Sequence, residues 1–208
     1  MMRTAVTAIL LLLAPQLYAA DLELGIRHVA TMMTGESAFD GGELDIASSR
    51  GFAATAELFV TERFSTQLAG TFINPETILF PTGGLVTDVD LGTLGLDTYS
   101  LTARYHFAPQ SRFSYFAGGG VAIVLIGNLE DRFGDDFELE YDPETTFIAE
   151  GGIRYRFYPR IYLDAAVSYM PLETEPATLK GAPPAGVTLP PRLSLDPVTL
   201  SVGAAWRF

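Results

Sequence analysis

The chain has 208 residues, 13 Lys and Arg against 25 Asp and Glu, a formal net charge of -12, no cysteine and 48% hydrophobic residues. That length suits one domain or at most two, the lack of cysteine excludes disulfides, thiolate nucleophiles and thiolate metal sites, and the acidic balance argues against a nucleic-acid partner held through its phosphates. No stretch after residue 20 approaches the roughly 18 consecutive apolar residues of a membrane-spanning helix, so any membrane crossing has to be made by strands.

Residues 1–20, "MMRTAVTAILLLLAPQLYAA", place one Arg before an apolar run and end on small Ala19 and Ala20. This is the layout of a cleaved secretory signal, with an apolar core too short to span a bilayer. The expected mature chain starts near Ala20 or Asp21, is exported from a bacterial cytoplasm and forms one domain over residues 21–208.

Eight segments then follow in which apolar and polar residues alternate: 22–33, 52–61, 64–74, 97–107, 113–126, 145–157, 160–170 and 197–208. Strict alternation marks a strand with one apolar and one polar face. Each segment is about as long as the roughly 9–11 residues a tilted strand needs to cross a bilayer, and longer than the five or six usual in soluble sheets. The connections alternate too. Segments two and three, four and five, and six and seven are joined by a few residues, whereas 34–51, 75–96, 127–144 and 171–196 are long. Short turns on one rim and long loops on the other, with an even strand count, is the pattern of an outer-membrane barrel.

Periodicity alone does not say which face looks inward. In segment four Tyr99, Leu101, Ala103, Tyr105 and Phe107 oppose Thr98, Ser100, Thr102, Arg104 and His106. In segment seven Ile161, Leu163, Ala165, Val167 and Tyr169 oppose Tyr162, Asp164, Ala166 and Ser168. The aromatic positions decide it. Phe64, Tyr105, Phe107, Phe113, Tyr155, Phe157, Trp206 and Phe208 fall near the short turns. Phe59, Phe72, Tyr99, Phe147 and Tyr169 are assigned to the long-loop end, with Phe59 the one whose facing the alternation leaves open. Two aromatic belts with Leu, Val, Ile, Ala and Gly between them match the girdles of a membrane barrel, so the apolar face looks to lipid. The predicted fold is all-β: an eight-stranded antiparallel transmembrane up-and-down barrel in the outer membrane, closed by pairing of the first and last strands.

The same alternation turns Glu23, Arg27, Glu57, Arg104, Glu150, Arg154, Arg156, Asp164 and Arg207 inward, four acids against five bases. A barrel this narrow has room for side chains rather than a wide pore, and buried charges persist when paired. The expectation is a paired network that plugs the lower barrel, with a conducting polar route as the alternative.

Three stretches, "LDTYSLTARYHFAPQSRFSYFAGGGVAIVL" (96–125), "LDPVTLSVGAAWRF" (195–208) and "QLAGTFINPETI" (67–78), resemble the OmpW/AlkL family of small outer-membrane proteins. With the strand count, the likeness covers most of residues 21–208. It departs from the family in lacking a Pro-rich entry before Tyr99 and in its acidic third loop. The resemblance implies a narrow, largely apolar pocket near the outer end that passes small hydrophobic molecules and releases them sideways into the membrane. The C-terminal end, with Trp206 and the final Phe208, resembles the signal by which outer-membrane barrels as a class are recognised by their assembly machinery.

The long connections at 75–96 and 171–196 are unusually apolar, and apolar loops have to bury that surface in a vestibule, a partner or lipid, or against each other as a lid. Ile78, Leu79, Phe80, Leu85, Val86 and Leu189 are the candidate vestibule residues. The connection "NLEDRFGDDFELEYDPE" (128–144) carries eight carboxylates and one Arg. Oxygen ligands suit calcium or magnesium, but the spacing is not that of an EF-hand, and it reads as a solvated loop. "AGGGVA" at 117–122 reads as room for close packing within a strand. No cofactor or metal site is expected. The partners expected are outer-membrane lipid and lipopolysaccharide, the assembly machinery and a small hydrophobic ligand, with the chain a monomer. The two histidines, His28 and His106, belong to no outer loop, which disfavours an enzyme. A structural or adhesive barrel whose loops bind envelope or host components stands as the alternative.

Overall fold

Alternation along the chain becomes the two sides of a wall. In the computed structural model, residues 21–34, 38–39, 42–43, 45–46, 48–80, 89–127, 129–130, 138–174, 176–180 and 193–208 are described. The wall is built from β1 (Asp21–Met33), β2 (Ser49–Phe59), β3 (Phe64–Phe80), β4 (Val89–Phe107), β5 (Phe113–Ile126), β6 (Glu144–Tyr158), β7 (Ile161–Tyr169) and β8 (Pro197–Arg207). Each strand pairs antiparallel with its neighbours in sequence, and β8 pairs with β1 from Glu23↔Arg207 to Met33↔Pro197, so the sheet closes into a barrel. The Phe208 amide extends that seam by donating to the Leu22 carbonyl at 2.9 Å. The predicted signal segment 1–20 lies outside the described residues.

The faces are the reverse of a soluble barrel. In β2, Gly51, Ala53, Thr55, Glu57 and Phe59 are buried while Phe52 and Ala54 are exposed. Ile26, Phe147 and Phe208 are 67%, 72% and 63% exposed on the outer wall, amid a band of Leu, Val, Phe, Tyr and Trp. That much contiguous apolar surface is stable against lipid rather than water. At the short-turn end the belt is tied by ring contacts, Phe64 on Tyr105 at 5.0 Å and Phe113 on Tyr155 at 4.7 Å.

Three expectations are corrected. First, 75–96 is not a loop throughout: β3 and β4 run to 17 and 19 residues and stay paired as far as Phe80↔Val89. Pro75 has no N–H to give the ladder, and the register shift between Ile73 and Glu76 takes it out as a bulge, which lets the hairpin continue. Second, Phe59 is not in the outer belt. It ends β2, which runs toward the short turns, and it shares the parity of Glu57, so it faces inward at the opposite end and is 6% exposed. Third, parts of 127–144 and 171–196 are paired: Glu138–Tyr141 with Pro176–Lys180, and Glu173–Thr174 with Leu193–Ser194.

Inward-facing glycines make the interior habitable for long side chains. A methyl group at Gly203 would lie 2.6 Å from Arg27 Cγ and 2.1 Å from the Ile26 carbonyl oxygen, and at Gly152 it would meet the Phe116 ring at 2.5 Å.

Candidate functional site: a charged plug below an apolar collar

Eight of the nine predicted interior charges meet in one continuous network, drawn from six strands. Arg154 on β6 is its hub. Its Nε donates to Asp164 Oδ1 at 2.8 Å across the directly paired Arg154↔Asp164 position, and its Nη2 reaches Glu57 at 2.9 Å and Glu23 at 2.8 Å. Arg27 bonds the other oxygen of Asp164 at 3.1 Å. Arg104 makes a two-pronged pair with Glu150 and reaches Glu57 at 3.3 Å. Arg207 holds Glu23 at 3.1 Å and lies 3.9 Å from the Phe59 ring centroid and 4.6 Å from that of Tyr162. Four guanidinium groups thus balance four carboxylates, and Arg104, Glu57, Glu23, Arg154 and Asp164 are almost fully buried.

Pairing explains why so many charges tolerate this depth: an isolated buried ion costs several kcal/mol, about the effective penalty found in real proteins. Here each carboxylate has a guanidinium, and aromatic faces cover the cations where carboxylates do not. Phe116 lies 4.5 Å under Arg104, in the space that Gly152 leaves.

Arg156 does not join the network. Its guanidinium donates to the Gln110 carbonyl at 3.3 Å, at the short-turn mouth, because it sits one inward position nearer the rim than Arg154. His106 and Ser65, by contrast, belong to it. Ser65 Oγ bonds Glu57 Oε1 at 2.5 Å, and His106 Nε2 lies 3.0 Å from the same oxygen and 2.8 Å from Ser65 Oγ. The parity of segment four already placed His106 on the polar face beside Arg104; the missing signal was that β2 and β3 bring Glu57 and Ser65 to the same level. His28 faces outward on β1, opposite Phe52 and Val202.

The interior is layered. Below the network a mouth of about 320 Å³ is lined by Asp21, Phe59, Glu62, Gln110, Arg156 and Arg207. Above it lies a chamber of about 50 Å³ of mixed lining, in which Gln67, Ser100, Ser168 and Thr199 alternate with small apolar residues such as Ala53 and Ala166. Higher still, Ile73, Leu96, Ile148, Met170 and Pro197 form an apolar collar around a space of only about 30 Å³. Leu172 and Leu195, 1% and 0% exposed, lie beyond it. Of the candidate vestibule, Ile78, Leu79 and Phe80 end β3, with their side chains outside the described set, and Leu85, Val86 and Leu189 lie outside the described residues. Trp206 and Phe208 face outward in the lower belt. Among the described residues no His, Cys, Asp and Glu group could hold a metal ion.

One seam of the wall is interrupted. β6 and β7 pair from the turn up to Ala149↔Tyr169, and the two chains pair again from Tyr141↔Pro176. From Ala149↔Tyr169 to Tyr141↔Pro176 the step is eight positions on one chain and seven on the other, and the one-residue difference is taken up by the irregularity between Glu140 and Tyr141, beyond which Glu140 pairs with Thr178. Pro143 and Pro171, which lack N–H donors, lie in the segments 142–148 and 170–174 that flank the gap. The 170–174 segment turns instead toward β8: the Met170 amide bonds the Pro197 carbonyl, and the Leu172 amide bonds Asp196 Oδ1 at 2.9 Å. Asp196 itself has φ +38°, a left-handed conformation that Asp tolerates better than most residues. The bond from Thr146 Oγ1 to the Pro171 carbonyl spans the gap. Ile148 and Met170 flank it and belong to the collar.

Comparison with known proteins places this architecture. The OmpW family model matches residues 24–208. No curated protein matches the chain. Among solved structures, the outer membrane protein OprG from Pseudomonas aeruginosa is 17% identical with a TM-score of 0.69, covering 91% of this chain and 95% of that one. The outer membrane protein AlkL, determined in lipid bilayers, is 17% identical with a TM-score of 0.63, covering 91% and 90%. The outer membrane protein W of E. coli is 16% identical with a TM-score of 0.52, covering 89% and 97%. At these identities the likeness is one of fold.

Proposed function

The chain belongs to the OmpW family of outer-membrane barrels, and we propose that it carries small hydrophobic molecules passively into the outer membrane, admitting them at the outer end and releasing them sideways. The observation that carries this reading is the interrupted seam between β6 and β7, set directly beside the apolar collar. A straight route to the periplasm crosses the charged plug, where an apolar molecule would strip buried ions of their partners. A sideways route passes Ile148 and Met170 and crosses the gap in the ladder, which the Thr146–Pro171 hydrogen bond spans, and leads to lipid. The β3–β4 seam is bulged, but its ladder continues above the bulges to Phe80↔Val89.

Chemistry is not part of the reading. His28 faces the lipid side and His106 is locked on Glu57 and Ser65 beneath the plug, far from any substrate entering from outside. The same reading has Trp206 and Phe208 presented to the assembly machinery, and the chain acting as a monomer among outer-membrane lipid and lipopolysaccharide.

The test uses the absence of native cysteine. Thr145 and Glu173, both exposed, are the positions that would face each other if the β6–β7 register ran through the gap. In the Thr145→Cys, Glu173→Cys variant, a short reversible bis-thiol cross-linker is expected to lower octane uptake by cells several-fold, with recovery on reduction. The same cross-link across the continuous β7–β8 seam, at Val167 and Leu200, is expected to leave uptake unchanged. Uptake by the unmodified protein no faster than by cells lacking it would overturn hydrophobic passage altogether and favour a structural or adhesive barrel. Uptake that persists in the cross-linked variant would overturn only the sideways route.

A further inference from the structure

The three short turns repeat one arrangement that passage through the barrel does not use. Each places an arginine immediately before the next strand: Arg63 before Phe64 of β3, Arg112 before Phe113 of β5 and Arg160 before Ile161 of β7. Each arginine carbonyl accepts a backbone bond from the neighbouring strand, from His106 at 2.7 Å, Arg156 at 2.8 Å and Arg207 at 2.9 Å. The residue after each arginine then pairs with an outward-facing aromatic: Phe64↔Tyr105, Phe113↔Tyr155 and Ile161↔Trp206. Two of the three guanidiniums rest on that aromatic. Arg63 Nη1 donates to the Tyr105 hydroxyl at 3.4 Å, and the Arg112 guanidinium lies 5.2 Å from the Tyr155 ring centroid.

All three arginines are exposed, and among the described residues none has a carboxylate partner. The nearby turn acid, Glu62, accepts from the Gln110 amide at 3.1 Å instead. These three cations share their rim with the exposed acids Asp21 and Glu62, in a chain of net charge -12.

We propose that these arginine–aromatic pairs bind the phosphates of anionic phospholipids in the periplasmic leaflet, an interaction independent of what the barrel carries. Tyr and Trp settle at headgroup level, so the belt sets the height of the guanidiniums at the phosphates. Guanidinium is planar, weakly hydrated and matched to two phosphate oxygens at once. The pinned backbone fixes where each arginine starts, and for Arg63 and Arg112 the aromatic also holds the far end against the wall, which reduces the conformational freedom lost on binding. A basic side chain at an anionic membrane surface gains about fivefold in local lipid occupancy.

The experiment is the association of spin-labelled phosphatidylglycerol, relative to spin-labelled phosphatidylcholine, with the protein reconstituted in mixed bilayers. Wild type is expected to prefer phosphatidylglycerol several-fold. Arg63→Gln, Arg112→Gln and Arg160→Gln together are expected to bring the ratio near parity, while the three Arg→Lys changes keep most of it. Assembly is checked by the heat-dependent electrophoretic shift; if the triple Gln variant fails to assemble, each single Gln variant is expected to lower the ratio by part of the whole. Parity in wild type, or a ratio that the assembled Gln variants leave unchanged, would overturn the proposal. So would loss of the preference on adding excess inorganic phosphate, which would mark a site for free anions rather than for lipid.

Discussion

Arg154→Ala lowers the unfolding stability of the barrel by about 3–5 kcal/mol, the range for removing one partner of a buried ion pair, read as a shift of the urea midpoint to lower concentration in lipid or detergent. The size follows from the hub geometry. Arg154 is 2% exposed and satisfies Asp164, Glu57 and Glu23 at once. Without it Glu23 keeps Arg207, Asp164 keeps Arg27 and Glu57 keeps Arg104 and His106, so each acid loses its shortest guanidinium contact but not its last. Arg207→Ala is the informative comparison. Its side chain is 23% exposed, so solvent screens its pair with Glu23, and the expected loss is about 1 kcal/mol. Equal losses in the two variants would mean that burial does not set the strength of the network.

Within the "GGG" of β5, alanine at three consecutive positions is expected to give an alternating outcome. A Cβ at Gly120 would lie 1.9 Å from the Leu101 carbonyl oxygen, and at Gly118 it would lie 2.7 Å from the Ala103 oxygen and 2.9 Å from Arg104 Cγ. Gly119 points to lipid, and its Cβ meets only the Ile148 oxygen, at 3.4 Å. Gly120→Ala forces the β4 backbone itself to move and is expected to cost at least the roughly 1–3 kcal/mol of ordinary overpacking, seen as a smaller fraction of protein in the heat-modifiable folded band. Gly118→Ala follows, since Arg104 has to shift against Glu150 and Glu57. Gly119→Ala is expected to stay within about 0.5 kcal/mol of wild type. A damaging Gly119→Ala beside a harmless Gly120→Ala would contradict the assignment of inner and outer faces in β5.

The wall was legible because a period of two carries through every strand: once the aromatic belts fixed which face met lipid, inward residues such as Glu57, Arg104 and Asp164 followed by parity alone. Parity does not give height, however. Arg156 shares the inward face of Arg154 yet stands at the mouth, and Phe59 was assigned to the wrong end although it lies two residues beyond Glu57. The partnership of His106 with Ser65 and Glu57 depends on three strands meeting at one level, which a single-strand pattern does not contain. Pro75 and the glycines at 83, 84, 92 and 95 break the alternation, which hid the continuation of β3 and β4; the bulge that absorbs Pro75 is a property of the pair, not of either strand. The gap between β6 and β7 was invisible for a similar reason. Pro143 and Pro171 announce missing donors, but not that the chain after Tyr169 turns toward Asp196.

The buried charges come from both ends of the polypeptide: Arg27 meets Asp164 and Glu23 meets Arg207, the latter 184 residues apart. Such contacts form late, because long loops have to close before they contribute. Until β8 reaches β1, the sheet has two open edges and its ions remain hydrated. Ring closure is therefore also the moment at which water leaves the ions, so strand order and charge order are tested in the same step. A β8 that arrives one residue out of register would turn Arg207 to the lipid and leave Glu23 short of a partner inside. The closed register is therefore the one in which the charges of the first and last strands find their partners.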